Sequence, residues 1–147
     1  MRLFLGVDGG QSGTTAMIGD ETGRILGTGA AGPCNHAAHG EGRGKLERAV
    51  VGSVGAACAQ AGLDVATVCF EAGCFGMSGG PDDKREILAS ILRVDRLVVT
   101  NELKLRGIDY LLVFDTDNGA DDLRLNTDLW GLRAVGDDKG MRLYQLL

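Results

Sequence analysis

Apolar residues follow two rhythms along this chain. Up to Ala30 they fall in short runs, residues 2–7, 14–19 and 24–30, each with the length and composition of a strand. Asp8 to Gly13 and Asp20 to Gly23 separate the runs. These stretches are rich in residues that tolerate turn dihedrals, so the spacing predicts an antiparallel meander. A glycine-rich loop is expected from Gly32 to Gly44. Leu46, Ala49, Val50, Val54, Ala57 and Ala61 then recur at three- and four-residue steps, the mark of an amphipathic helix, with Gly62 just past its end. Residues 66–75 are mostly apolar and read as a fourth strand, and Gly79-Gly80 as a turn. Pro81 with Asp82 and Asp83 suits the start of a second helix, whose apolar face is Ile87, Leu88, Ile91 and Leu92. Residues 96–100 read as a fifth strand and Tyr110 to Phe114 as another. Asp115 to Asp122 is acidic and turn-rich; Leu123 to Leu147 shows no clear helix, and a pair of late strands is expected there. The order β-β-β-α-β-α-β through residue 100 predicts an α/β fold with helices packed on a mixed sheet.

Composition narrows the function classes. With 147 residues the chain has the size of one domain and can form a core without staples. Its net charge of −5 argues against nucleic-acid and anionic-membrane partners, which need clustered Lys and Arg. A nucleotide ligand remains open, because backbone N–H groups and Mg²⁺ can hold phosphates. No apolar run reaches the length of a membrane span, and the opening Met1 to Gly6 lacks the long apolar stretch of a secretion signal. Cys34, Cys58, Cys69 and Cys74 form no C-x-x-C pair, so a zinc or thioredoxin-type site is not expected. Cys58, Cys69 and Cys74 lie among apolar residues and read as small buried hydrophobes. A reduced cytoplasm is the expected setting.

The turn after the first strand carries the most chemistry. Asp8 can hold Mg²⁺ directly or through water. Gly9 and Gly10 let the backbone approach a phosphate without a Cβ clash. Ser12, Thr14 and Thr15 add hydroxyls. The same residues fit a plain β-hairpin turn, since Asp-Gly is a common hairpin signal, and spacing alone leaves both readings open. Gly40 to Lys45 is no Walker loop, because Leu46 stands where Ser or Thr is needed. His36 and His39 would need a helix to share a metal, and their loop is glycine-rich. Asp115 to Gly119 has its glycine one place early for a calcium loop and lacks the bidentate Glu, so a capped turn is expected.

Gly6-Val7-Asp8-Gly9-Gly10-Gln11-Ser12-Gly13-Thr14 resembles the first phosphate motif of the actin-like ATPase superfamily, within the ribonuclease H-like folds. The likeness is to the BadF/BadG/BcrA/BcrD-type ATPase family, which includes N-acetylglucosamine kinase. Three further stretches are similar in the family's order: Gly32 to His36, Gly76 to Gly80, and Val98 to Glu102. The resemblance covers roughly residues 1–102, taken as an N-terminal actin-like ATPase domain, and leaves 103–147 as a divergent C-terminal segment of a truncated or half-length member. It implies ATP and Mg²⁺ as cofactors, with Asp8 on the metal and Gly9, Gly10, Gln11, Ser12, Gly13 and Thr14 along the phosphates. Asn35, His36, Ser78, Gly79 and Asn101 would meet the acceptor, an amino sugar, and Glu102 with Asp8 would be catalytic. Glu102 stands where the kinases carry Asp, one methylene shorter. The superfamily binds ATP between two similar domains, so a second half or a homodimer partner is implied, and the activity of this chain by itself stays open. Two alternatives accompany the kinase expectation. One is an ATP-driven activator of a 2-hydroxyacyl-CoA dehydratase, for which the four cysteines lack an obvious cluster arrangement. The other is a non-catalytic nucleotide-binding domain.

Overall fold

The computed structural model describes residues 1–34, 42–78, 82–117 and 120–147. Strands β1 (Leu3–Gly9), β2 (Thr14–Asp20) and β3 (Ile25–Ala31) form the meander, with β1 antiparallel to β2 and β2 to β3. Asp20 holds the second turn, its Oδ1 accepting from the Thr22 N–H (2.9 Å), the Thr22 hydroxyl (2.6 Å) and the Arg24 N–H (3.2 Å). Helix α1 (Gly42–Ala61) leads to β4 (Phe70–Met77), and α2 (Asp82–Ile91) to β5 (Val94–Asn101). The turn expected at Gly79-Gly80 and the helix start expected at Pro81 lie outside the described residues. Both β4 and β5 run parallel to β1, in the sheet order β3-β2-β1-β4-β5. The domain core is thus mixed α/β on a mixed sheet, as the apolar rhythm predicts.

Alternation divides that sheet into two faces. Leu5, Val7, Ala16, Ile18, Phe75 and Met77 point into the core. There they meet the stripe of α1 at Leu46, Ala49, Val50, Val54, Ala57 and Cys58, with Ile87 and Leu88 of α2. The opposite face carries Gly6, Met17, Cys74 and Val98, all exposed, in one row across four strands. Helix α1 lies very close to β3. A Cβ added at Gly27 would stand 2.1 Å from the Ala57 carbonyl oxygen, and one at Gly29 2.1 Å from that of Ser53.

The chain then crosses α3 (Glu102–Leu105) into a second, three-stranded antiparallel sheet. Strands β6 (Tyr110–Phe114), β7 (Leu132–Asp138) and β8 (Met141–Leu146) take the order β6-β8-β7. Short helices α4 (Ala120–Leu125) and α5 (Thr127–Trp130) lie between β6 and β7. Val113, Ala120, Leu132, Tyr144 and Leu146 make a separate small core.

Several expectations change. Helix α1 starts at Gly42, inside the stretch read as loop through Gly44 and Lys45. Its first turn gains an i,i+4 pair between Arg43 Nε and Glu47 Oε1 (2.9 Å). Strand β4 starts at Phe70 rather than Ala66, because Asp64 draws 64–68 into a turn: its Oδ1 accepts the Ala66 N–H (3.0 Å) and its carbonyl the Val68 N–H (2.9 Å). Cys69 and Cys74 are exposed, not buried. Cys69 precedes β4, and alternation turns Cys74 onto the face away from the helices. The pair of late strands is present, but α4 and α5 were not expected. Each is too short for an apolar period; Asp122 ties them together by accepting from Asn126 Nδ2 (2.6 Å) and Trp130 Nε1 (2.9 Å).

Substitution distinguishes the glycines. Gly29→Ala should lower stability by about 1–3 kcal/mol or more, since backbone must move. Gly55→Ala, inside α1 with nothing within 4 Å of an added Cβ, should raise it by about 0.5–1 kcal/mol. Urea unfolding followed by circular dichroism measures both; equal effects would contradict the close α1–β3 approach.

Candidate functional site

Parallel strands bring their C-terminal ends to one edge of a sheet. Here Thr14, Gly9, Met77 and Asn101 lie in one register row across β2, β1, β4 and β5. Ser78 and Glu102 follow that row directly in the chain, and Glu102 opens α3. The topology therefore gathers most of the predicted positions at one end of the sheet. Asn35, His36 and Gly79 lie outside the described residues.

The hairpin at this end is built around Gly9. A Cβ there would stand 2.5 Å from Cys34 Sγ and 2.6 Å from Met77 Sδ, so the two sulfurs, 3.9 Å apart, close directly beneath the turn. The Gly10 N–H donates to the Gly13 carbonyl (2.9 Å) and closes the turn. From below, the Cys34 N–H donates to the Gly10 carbonyl (3.0 Å) and the Ser78 N–H to the Gly9 carbonyl (2.9 Å). Thr14 is buried; its hydroxyl donates to the Gly32 carbonyl (2.9 Å) and lies 3.2 Å from Cys34 Sγ. Burial pushes the Cys34 thiol up in pKa, with the Thr14 hydroxyl and the Lys84 ammonium acting the other way. Lys84 is fully buried.

Above the hairpin lies a cavity of ≈ 290 Å³ lined by Asp8, Gly10, Ser12, Gly13, Thr15 and Arg106. Asp8 is exposed and sits across from Thr15 in the register. The lining is polar, with one carboxylate, two hydroxyls, a guanidinium and glycine backbone. Such a set can bind an anion through N–H and guanidinium donors. Among the described residues no three His, Cys, Asp or Glu side chains form a metal-ligating group. A lone carboxylate fits Mg²⁺, which commonly binds through one or two carboxylates plus ligand phosphates. Gln11 lies outside this cavity and borders a neighbouring one. Thr14 serves the base of the hairpin while Thr15 faces the cavity.

Sequence reasoning missed Arg106 and Lys84. Arg106 follows α3 in a stretch without periodicity, so nothing signals its approach to a hairpin nearly a hundred residues earlier. Lys84 stands in the run Asp82 to Glu86, which reads as a solvated face. No helix among the described residues is long and apolar enough to cross a membrane.

No protein-family model matches the chain, and no curated protein matches it. Among solved structures it is similar to a candidate N-acetylglucosamine kinase from Chromobacterium violaceum, with a TM-score of 0.56 and 24% identity over 78% of this chain and 41% of that one. This likeness shows a shared fold. Looser likenesses are a ROK family glucokinase from Streptomyces griseus in complex with glucose and AMPPNP (TM-score 0.46, 25% identity, 67% of this chain and 33% of that one) and component A of (R)-2-hydroxyglutaryl-CoA dehydratase from Acidaminococcus fermentans (0.43, 12%, 67% and 31%). This chain spans less than half of each of these three proteins.

The thiols report on the hairpin base. In native protein at pH 8 an alkylating reagent should modify Cys74 first. Cys69 should follow more slowly, since desolvation and the Asp95 carboxylate raise its pKa and leave less thiolate. Cys34 and Cys58 should react only after unfolding. Mass spectrometry of the labelled peptides measures the order; early labelling of Cys34 would contradict a closed base.

Proposed function

We propose that this chain is the first lobe of an ATP-dependent phosphotransferase of the N-acetylglucosamine kinase type, acting on a hydroxyl of an amino sugar in the cytoplasm. The observation that carries this is the polar cavity over the Asp8–Thr15 hairpin, placed at the C-terminal end of parallel strands, where open α/β sheets bind ligands. The shared fold with the Chromobacterium violaceum protein supports it, as does the ordered set of motifs.

In this reading the hairpin's backbone N–H groups, with Ser12, hold the β- and γ-phosphates of ATP. Asp8 would hold Mg²⁺, which would neutralise part of their charge. The acceptor would lie against Asn35, His36, Ser78, Gly79 and Asn101. Glu102 takes the proton of the sugar hydroxyl as its oxygen bonds to the γ-phosphorus and the bond to the ADP oxygen breaks, a step governed by positioning and charge more than basicity. The extra methylene of Glu102 makes its placement the sensitive element. Glu102, standing where the kinases carry the shorter Asp, favours a second reading in which the lobe binds nucleotide without catalysis.

Calorimetry with Mg-ATP, alongside a coupled ADP-release assay over a panel of amino sugars, tests both. Binding with turnover supports the kinase; binding without turnover supports the nucleotide-binding lobe; no binding rejects both. Asp8→Asn should weaken Mg-ATP binding at least about tenfold with unchanged binding in the absence of Mg²⁺, whereas equal loss with and without the metal would count against Asp8 as its ligand.

A further inference from the structure

A second cavity meets the hairpin at Gln11. Its volume is ≈ 470 Å³, within the range of small-ligand sites. Gln11, which lines the second cavity, stands between Gly10 and Ser12, both of which line the phosphate-side cavity, so the two cavities take their walls from adjacent residues of the hairpin. The second differs in chemistry. Leu103, Leu111, Leu123 and Leu132 give it apolar walls, and Trp130 an aromatic one. Gln11 and Asp122 are its polar groups. A few polar groups set in an apolar lining is how proteins orient a ring-shaped ligand.

Trp130 is held for such a role. Its indole N–H donates to Asp122 Oδ2 (2.9 Å), and Asp122 Oδ1 accepts from Asn126 Nδ2 (2.6 Å). The ring is fixed by its edge and also packs against the small core. Charge separates the cavities too. The hairpin cavity is bordered by Arg106, whereas the second has Asp122 as its charged group. A carboxylate beside apolar walls disfavours phosphate and suits a neutral heterocycle that bears an amine.

We propose that this crevice takes the nucleoside end of a nucleotide whose phosphates lie over the hairpin, so that residues 103–147 supply a base site within the same chain. The proposal rests on the phosphate-binding reading of the hairpin. Every apolar wall of the crevice comes from 103–147, so the segment where the family resemblance ends acquires a role. Stacking on Trp130 supplies affinity, and Gln11 joins base site to phosphate site.

Trp130 is the chain's single tryptophan, so its emission reports on the crevice directly. The full chain is titrated with Mg-ATP, with adenosine and with Mg-tripolyphosphate, following fluorescence and calorimetry together. ATP and adenosine should shift or quench the emission. Tripolyphosphate should bind by calorimetry without moving it, at least about fivefold more weakly than ATP. Trp130→Phe should retain ATP affinity within about threefold, and Trp130→Ala should reduce it to that of tripolyphosphate. Should the alanine variant lose its fold by circular dichroism, Leu123→Phe, which fills the crevice, should weaken ATP and adenosine but not tripolyphosphate. Equal affinity for ATP and tripolyphosphate with unmoved emission overturns the base site and leaves the hairpin reading standing. An adenosine response without binding of either phosphate compound supports the base site and removes the hairpin reading. Silence of all three ligands overturns both.

Discussion

A side chain at Gly9 would strike two sulfur atoms, and the whole end of the sheet is arranged around that constraint. Cys34 and Met77 fill the space beneath the turn, one from the chain after β3 and one from the end of β4. Because they come so close, the neighbouring backbone can be drawn in as well: Cys34 reaches the Gly10 carbonyl and Ser78 the Gly9 carbonyl. The hairpin is thereby held by segments from both of its flanks. Its upper surface, with Asp8, Ser12 and Thr15, is left to solvent. A phosphate loop needs this combination, since pre-set donors require no reordering when the ligand arrives.

Much of this was legible in the residues. Runs of alternating or continuous apolar character located β1 to β6 within a few positions, and the stripe from Leu46 to Ala57 located α1, because those elements bury a face and must show a period. Errors clustered where side chains rather than periodicity decide. Asp64 delays β4, the Arg43–Glu47 pair lengthens α1, and Asp122 assembles α4 and α5 from turns too short to carry a stripe. Cys69 and Cys74 failed for another reason: an apolar neighbourhood in sequence says nothing about which face of a sheet a residue takes. For the site, the glycine and hydroxyl spacing of Asp8 to Thr14 left a phosphate cradle and a plain hairpin turn both open, and only the family resemblance favoured the first. Arg106 could not, since its place at the cavity depends on how α3 leaves β5.

The two halves of the chain differ in how they are held. Residues before α3 share one continuous core between a sheet and two helices. Those after it depend on five buried residues and a few partners, together with ionic contacts such as Arg142 with Asp137 (2.8 Å) and Asp115 (3.6 Å). Pairs whose carboxylates face solvent contribute little each, so the smaller unit rests mainly on its few buried side chains. Both cavities take wall residues from it, so what the hairpin can grip is tied to the smaller of the two cores.

The row Gly6, Met17, Cys74 and Val98 has a further consequence. Helices α1 and α2 cover one face of the sheet, and these four residues look out from the other. Neighbouring residues along β1 and β4 thus live under opposite rules. At Val7 or Phe75 a polar replacement would be buried among apolar side chains; one position earlier, at Gly6 or Cys74, it would meet water. Gly6, Met17, Cys74 and Val98 carry no charge, so a surface that came to cover this row would strand no ionised group beneath it.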